Sequence, residues 1–439
     1  MGKNKWLIAC VLSLLCSQII CAQTPLRRVI SIEELFSLAD KNSQSIKSFE
    51  IGTEAADQEL KSVQANRLPD INASLSASYW GNGFLWNRNF KDGQSIDMPH
   101  WGNNFSVSAA QVIYTGGAIT NNIAIAKIHK KMAVLDLRKN RQDIRFMLTG
   151  NYLELCKLTN QIEVMENNIV LTEHLIANTR QRVNQGTALK NDITRYELQL
   201  ENMRLQLQRL KDAFSIINHK LITTVGLDVN NVIIPKSNID AITPSLLDEK
   251  RWQQIAENEN IQLQQSQLYI SMREKAVKIE KSEMLPKIGF FVEEHLDGPI
   301  TIEVPVINSN FNYWFAGIGI KYNISSLFKN DNKIKKAMIQ LSQSRVNHEL
   351  AKQYIENAVQ ISFTEYVTSF IDCHTQQKSV ELANKNYKVT SDRYENGLAL
   401  LTDMIDASNM KLSAELNLVN AQISILYNYY KMKYTSGSL

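Results

Sequence analysis

The chain has 439 residues, and its 48 Lys and Arg against 44 Asp and Glu give a formal net charge of only +4 at pH 7. A charge this small provides no basic surface for strong nucleic-acid binding. The seven histidines are scattered without the paired spacing of a zinc site, and neither a serine nucleophile motif nor a nucleotide-binding glycine loop is present. The sequence therefore argues against an enzyme and predicts no cofactor and no metal site.

The N-terminus has the pattern of a secretory signal. Two lysines precede an apolar run from Trp6 to Ile20, and a cleavage site follows after Ala22. Residues 1–22 are therefore predicted to be a signal peptide, and the mature protein to be exported. A lipidated mature N-terminus is an alternative, although Cys21 follows Ile20 where lipidation requires a small residue. Cys156 and Cys373 would remain, and their positions in predicted long helices indicate buried thiols rather than disulfides.

After the signal, a half-length helix is predicted over about Ser31–Asn66, followed by Leu68-Pro69 and a strand. From Ile71 to Tyr79 every second residue is apolar and the residues between them are Asn or Ser. This period of two is typical of a strand with one apolar face. A second strand is predicted around Phe105–Ala109, after a loop rich in Gly, Asn and aromatic residues.

A long helix and a shorter one come next. The long helix is predicted over about Ala118–Gln185. In Thr187–Val225 apolar residues recur alternately three and four positions apart, which is the seam of a coiled coil. Residues 227–247 contain two prolines and are predicted to form a non-helical belt segment outside the helices.

The second half of the chain repeats this order. A half-length helix is predicted over about Leu246–Met284, and Leu285-Pro286 follows it. A weak strand candidate lies near Ile288–Glu294 and a clearer one covers Trp314–Tyr322. A final helix then carries a second coiled-coil seam from Leu412 to Tyr430.

Between the second strand pair and the second seam lies the most regular segment of the chain. Lys329–Asn396 holds 68 residues without a glycine or a proline. At ~1.5 Å of rise per residue, a helix of that length would measure about 100 Å. We expect it to begin at Ser325-Ser326 and to end at Gly397.

The two halves are related by an internal duplication. Thr179–Leu189 aligns without a gap with Thr390–Leu400, 211 residues later, and both segments carry an arginine four residues before a glycine. The predicted organisation is therefore a signal peptide, a first repeat at 23–226, the belt at 227–247 and a second repeat at 248–439.

The strands are the candidates for crossing a membrane, because no apolar run after the signal approaches the ~20 residues of a membrane helix. Open sheet edges are not tolerated in lipid, and the smallest single-chain barrels use about eight strands. The four strands of one chain are too few, whereas three copies would supply twelve. The predicted fold is mainly α with a transmembrane β part: a trimeric 12-strand β-barrel, four strands per protomer, continued by a long α-helical coiled-coil tunnel. The alternative is a small soluble sheet at the end of a coiled coil.

On these features the chain resembles the TolC-like outer-membrane efflux proteins. The resemblance covers essentially the whole mature sequence and is most specific at Arg393–Gly397 and Leu401–Ala407. It implies a homotrimer in the outer membrane, in contact with outer-membrane lipid, with its helical part in the periplasm. It also implies that an inner-membrane pump and a periplasmic adaptor deliver substrate to the tunnel tip, and that these partners choose the exported compound.

The resemblance implies that Asp403 and Asp406, together with Asp192, line the closed pore mouth. A spacing of three places Asp403 and Asp406 on one helix face. Three copies would bring six carboxylates together, which would raise some of their pKa values and attract cations. The alternative is helix capping, with Asp403 at the N-cap and Asp406 at the third helical position.

One position departs from the family pattern. Some members carry a basic residue two positions after the turn glycine, where it holds the mouth shut, whereas this chain has Ala399. Lys190 and Arg195 are candidate substitutes.

The same resemblance implies that the two turns dock the adaptor. The predicted docking tip consists of Arg182, Gly186, Leu189, Arg393, Tyr394, Gly397, Leu398 and Leu400. The alternative is ordinary helix-hairpin chemistry, since any tight exit from a helix needs such a glycine.

Three functions are compatible with parts of this sequence. An outer-membrane export channel fits the alternating strands and the aromatic-rich loop. A soluble periplasmic coiled-coil scaffold or adaptor would not need them. A metal-efflux channel of the same fold would carry Met or His clusters, and these residues are dispersed.

Overall fold

The computed structural model describes residues 26–236, 248–303 and 306–439. The predicted signal peptide and residues 237–247 of the predicted belt lie outside these ranges. The organisation into repeats and a belt stays a prediction.

Helices dominate the described part of the chain. They are α1 (Ile32–Asn42), α2 (Gln44–Ala65), α3 (Ala118–Asn184), α4 (Lys190–Thr224), α5 (Glu249–Glu259), α6 (Ile261–Ser282), α7 (Ser326–Lys329), α8 (Asp331–Glu395) and α9 (Leu401–Ser436). The strands are β1 (Leu26–Ile30), β2 (Asp70–Tyr79), β3 (Gly83–Leu85), β4 (Gln94–Ile96), β5 (Trp101–Tyr114), β6 (Asn231–Pro235), β7 (Lys287–Gly298) and β8 (Phe311–Lys321). No helix within the described ranges is both long enough and apolar enough to span a membrane.

The two long helices are confirmed, with 67 residues in α3 and 65 in α8. The predicted start of α8 was wrong by a few residues. The four-residue helix α7 occupies the predicted start at Ser326, and Asn330 separates it from α8. Serine side chains can begin a helix, but Ser325 makes no capping hydrogen bond from its side chain here.

Each predicted half-length helix that precedes the strands is two helices rather than one. The first breaks at Ser43 and the second at Asn260, and both residues have an extended backbone with ψ close to 120°. Both side chains are buried, and the Asn260 amide donates to the carbonyl oxygen of Thr435 at 3.1 Å. Neither break contains glycine or proline, so local sequence signals did not predict them.

The structure divides into two compact units. The sheet unit consists of Glu50–Asp136 and Gln262–Lys352. The turn unit consists of the described residues up to Phe49 together with Leu137–Ile261 and Gln353–Leu439.

A four-stranded antiparallel sheet forms the sheet unit's β part, in the order β2-β5-β7-β8. Both predicted strand pairs are confirmed. The weakest candidate is β7, a strand of 12 residues at the centre of the sheet. Charged and polar residues occur on both faces of this strand around residues 293–297, and they hid the alternation that the other strands show.

The strand register places serines and a cluster of aromatic rings on one face of the sheet and large exposed apolar side chains on the other. Ser74, Ser106, His295 and Tyr313 form one row across all four strands, with the two serine hydroxyls 2.8 Å apart and the two rings of His295 and Tyr313 stacked. The opposite face exposes large apolar side chains to solvent: Ile71, Leu75, Tyr79, Trp101, Trp314, Ile318 and Ile320. A sheet with one exposed apolar face needs a partner on that face.

Buried apolar side chains from α1, α3, α4 and α9 form one core of the turn unit, against a parallel pair of strands, β1 and β6. Tyr152 joins this core to both strand segments. Its hydroxyl donates to the carbonyl oxygen of Ile30 at 2.9 Å and accepts from the backbone N–H of Lys236 at 3.1 Å. Burial raises the pKa of Tyr152 to about 12.

Candidate functional site

Both turns of the turn unit have the same backbone geometry. Gly186 follows α3 with a φ of +77°, and Gly397 follows α8 with a φ of +73°. The next N–H in each turn closes back onto the helix: Thr187 donates to Arg182 at 2.8 Å and Leu398 donates to Arg393 at 2.7 Å. This is the left-handed helix exit that glycine adopts without a steric penalty. Helix termination by itself therefore accounts for both glycines.

The aspartates after the turns cap the following helices. The carboxylate of Asp192 accepts from the N–H of Leu189 at 3.1 Å, and that of Asp403 accepts from the N–H of Leu400 at 3.0 Å. Each aspartate is the third residue of its helix, next to free N–H groups and the positive end of the helix dipole. The alternative of Asp403 at the N-cap was wrong by three residues, because Leu400 stands there and its side chain cannot cap.

Asp406 has a different environment from Asp403. It lies almost one turn further along α9, and its side chain is exposed. Capping therefore explains Asp192 and Asp403 and leaves Asp406 without a structural role in the described residues.

Arg182 connects the two turns. Its guanidinium donates to the carbonyl oxygen of Tyr394 at 3.0 Å and lies 4.7 Å from the centroid of the Tyr394 ring. The matching Arg393 is exposed and donates to Leu398 within its own turn, at 3.2 Å. The two arginines differ because the second turn has Tyr394 where the first has Val183.

Next to Arg182, two tyrosines and Met404 belong to one buried cluster. Tyr196 is fully buried and Tyr394 nearly so, and among the described residues neither hydroxyl has a hydrogen-bond partner. The pKa of Tyr196 is raised far above its usual value, mainly by burial and to a smaller extent by the neighbouring Tyr394. Tyr196 lies within the predicted coiled-coil seam of Thr187–Val225, and periodicity does not tell which hydroxyl in such a seam becomes buried.

Three leucines stand outside this cluster. Leu189, Leu398 and Leu400 expose 70%, 69% and 70% of their surface. Leu189 and Leu400 are equivalent positions of the duplication, so both repeats present an apolar side chain just before the next helix. Lys190 and Arg195, the candidate substitutes for the missing basic residue, are exposed and form no ion pair within the described residues.

The fold places the chain in a known class. The solved outer-membrane channel OprN is similar to it with a TM-score of 0.79 at 15% identity, over 95% of each chain. VceC, an outer membrane protein from Vibrio cholerae, has a TM-score of 0.76 at 13% identity, over 92% of this chain and 96% of its own. The CmeC outer membrane channel from Campylobacter jejuni has a TM-score of 0.77 at 15% identity, over 93% of this chain and 85% of its own. The protein therefore has the fold of the outer-membrane efflux channels.

The family assignment agrees with the fold. Residues 35–227 and 252–431 match the family described as outer membrane efflux protein, which is well over half of the chain. The chain belongs to this family, whose members are channel proteins, as the TolC-like resemblance implied. No curated protein sequence matches it.

Proposed function

We propose that this protein is the outer-membrane channel of a tripartite export system, which passes substrate from an inner-membrane pump and a periplasmic adaptor to the cell exterior. The observation that carries the proposal is the four-stranded sheet. One of its faces is apolar and exposed. The other carries serines on β2 and β5 and a cluster of aromatic rings on β7 and β8. The outer strands β2 and β8 have no strand partner on their free edges within the described residues.

Pairing with identical copies would close the open edges of this sheet. Open edges cannot persist in lipid, because their N–H and C=O groups would lack hydrogen bonds. Three protomers pairing β8 of one with β2 of the next would give a closed barrel of twelve strands. The apolar face would then meet lipid and the opposite face would line water.

The exposed face of α8 supports the same homotrimer. Large aliphatic side chains recur along it at intervals of about one, two or three helical turns, as on a helix that packs along its length. They are Ile339, Val346, Leu350, Ile361, Ile371, Leu382 and Val389. A helix with this stripe exposed to water in one chain is stabilised when a neighbouring copy covers it.

At the turns we propose two roles. Asp403, Asp406 and Asp192 would ring the pore mouth when three copies converge, and the contact of Arg182 with Tyr394 would help to hold that mouth closed in place of a basic residue at Ala399. The docking tip of Arg182, Gly186, Leu189, Arg393, Tyr394, Gly397, Leu398 and Leu400 would bind the adaptor, chiefly through the three exposed leucines.

Single-channel recording tests this proposal. Protein purified in detergent is added to a planar bilayer, and wild type is compared with Asp403→Ala plus Asp406→Ala and with the control Asp372→Ala, an exposed aspartate within α8. We expect a cation-selective current that grows or loses selectivity only in the double variant. Equal currents in all three would assign Asp403 to capping alone. A protein that needs no detergent and does not conduct would be the soluble periplasmic scaffold.

A further inference from the structure

The loop between β2 and β5 contains a small built structure. Strands β3 and β4 pair from Gly83 with Ile96 to Leu85 with Gln94. Between them lies a turn of residues 86–93, called the Phe90 turn below. Its backbone is closed by hydrogen bonds from Phe90 to Asn87 at 2.8 Å and from Asn87 to Lys91 at 3.2 Å.

The Phe90 turn holds an aromatic side chain out in solvent. Phe90 has a φ of +58° and is 81% exposed. A left-handed backbone is unfavourable for a bulky residue, and so is contact of a phenyl ring with water. Two unfavourable features at one residue, in a turn fixed by specific hydrogen bonds, point to a partner for the ring.

Other apolar side chains lie close to Phe90 in the sequence. Phe84, Leu85 and Trp86 are each at least half exposed, and the rings of Phe84 and Trp86 lie 5.5 Å apart. The Trp86 ring also lies against Gly93, where an added Cβ would come within 2.8 Å of it. The turn therefore presents a fixed apolar surface rather than a single stray side chain.

The charges around Phe90 favour an anionic, amphiphilic partner. Arg88 and Lys91 are exposed on either side of it. The nearest carboxylate, that of Asp92, accepts from the Asn87 amide at 3.0 Å. Aromatic rings flanked by free cations match the boundary of a membrane, where rings lie at the head-group level and cations pair with phosphates.

The position of the loop in the sheet agrees with that partner. Tyr79 ends β2 and Trp101 begins β5; the two residues are paired in register and their rings meet edge to face at 5.5 Å. Both are exposed on the apolar face. Aromatic residues at the ends of membrane strands lie at the lipid interface, so the loop starts at that level.

We infer that the Phe90 turn is a lipid-binding element of the outer leaflet, in which Phe90 inserts among the head groups and Arg88 and Lys91 pair with lipid phosphates. The inference rests on the proposed outer-membrane channel. It adds a membrane contact made by a loop, beyond the strands themselves.

The test uses the mature protein, without the predicted signal peptide of residues 1–22 and its three cysteines, reconstituted into phosphatidylcholine vesicles with and without phosphatidylglycerol. A cysteine is introduced by Phe90→Cys and labelled with an environment-sensitive fluorophore. The native Cys156 and Cys373 are buried, and burial raises the pKa of both, so they react slowly. Leu398→Cys is the matched control, because Leu398 is another exposed apolar residue, in the turn after α8.

Quenching by nitroxide-labelled lipid is then measured at both positions. We expect quenching at position 90 to exceed that at position 398 by about two-fold or more, as for side chains at the lipid interface. In vesicles that contain phosphatidylglycerol, Arg88→Gln plus Lys91→Gln should reduce the quenching at position 90.

Equal quenching at the two positions, in protein that resists carbonate extraction, would overturn the lipid contact and leave the channel intact. Disulfide cross-links between Phe90→Cys thiols of separate assemblies would overturn it in favour of self-association. Failure to insert would count against the channel and the lipid contact together.

Discussion

Arg182 and Tyr394, 212 residues apart in the chain, join the two turns: the guanidinium of Arg182 donates to the Tyr394 carbonyl oxygen at 3.0 Å and lies over its ring. Each turn is otherwise closed by its own backbone hydrogen bonds. Together with the buried cluster of Tyr196, Tyr394 and Met404, this side chain joins the two helix ends.

Replacing Arg182 by Ala should loosen the pore mouth. The change removes a charged hydrogen bond and a cation–π contact, together worth about 2–4 kcal/mol in a partly buried setting. We expect a higher open probability in single-channel recordings. Arg393→Ala is the control, because Arg393 bonds only to Leu398 in its own turn among the described contacts. An equal effect of both variants would show that positive charge at the turns, and not the contact of Arg182 with Tyr394, controls the opening of the proposed pore.

Substitutions at Asp403 and Asp406 should differ in how much they lower the stability of the protein. Asp403→Asn removes a negative charge from the N-terminus of α9 and weakens the hydrogen bond from the N–H of Leu400, so we expect a loss of about 0.3–1 kcal/mol of stability. Asp406→Asn, at an exposed position, should change stability by less than about 0.5 kcal/mol. Thermal unfolding followed by circular dichroism measures both. If Asp406→Asn proves as costly as Asp403→Asn, a structural role for Asp406 has been missed.

Gly397→Ala should destabilise the protein, while Gly150→Ala should stabilise it. Gly397 has a φ of +73°, which costs an alanine about 1 kcal/mol or more. Gly150 lies inside α3, where an added Cβ would make ordinary contact with Tyr427 at 3.9 Å, so Ala should gain about 0.5–1 kcal/mol. Urea unfolding of the two variants gives the signs. Stabilisation by Gly397→Ala would mean that the left-handed exit is not kept in solution.

Stability should fall in alkaline solution through buried tyrosines. Burial raises the pKa of Tyr152 and Tyr430 from 10 in the unfolded chain to about 12 in the folded protein. The folded protein therefore binds more protons than the unfolded chain at high pH. The stabilisation is fully present below pH 10 and is lost as the pH rises from about 10 to 12.

Melting temperatures measured across this range should show the decline, and Tyr152→Phe should make it shallower. The variant should also be less stable at neutral pH, because Ile30 and Lys236 lose their hydrogen-bond partner. A melting temperature that stays constant up to pH 12 would mean that these hydroxyls are hydrated in the folded state.

Local sequence patterns were enough to predict the two long helices, the strand pairs and the two helix turns. A helix of 65 residues and strands of period two follow from local preferences, since backbone hydrogen bonds within a helix and alternation along a strand involve near neighbours. The alignment of Thr179–Leu189 with Thr390–Leu400 made the second turn recognisable from the first, and it located both glycines, the aspartates that follow them and the paired leucines. These features needed no knowledge of distant contacts.

The contacts of those residues could not be predicted from the sequence, because they depend on how distant helices pack. Whether Arg182 meets Tyr394, and which tyrosine hydroxyls are buried, depends on helices that are far apart in the chain. The breaks at Ser43 and Asn260 likewise follow from packing, because no glycine or proline marks them and the Asn260 amide is held by Thr435. The joining of the two strand pairs through β5 and β7 is of the same kind, since strands of different repeats carry no local signal that they will pair.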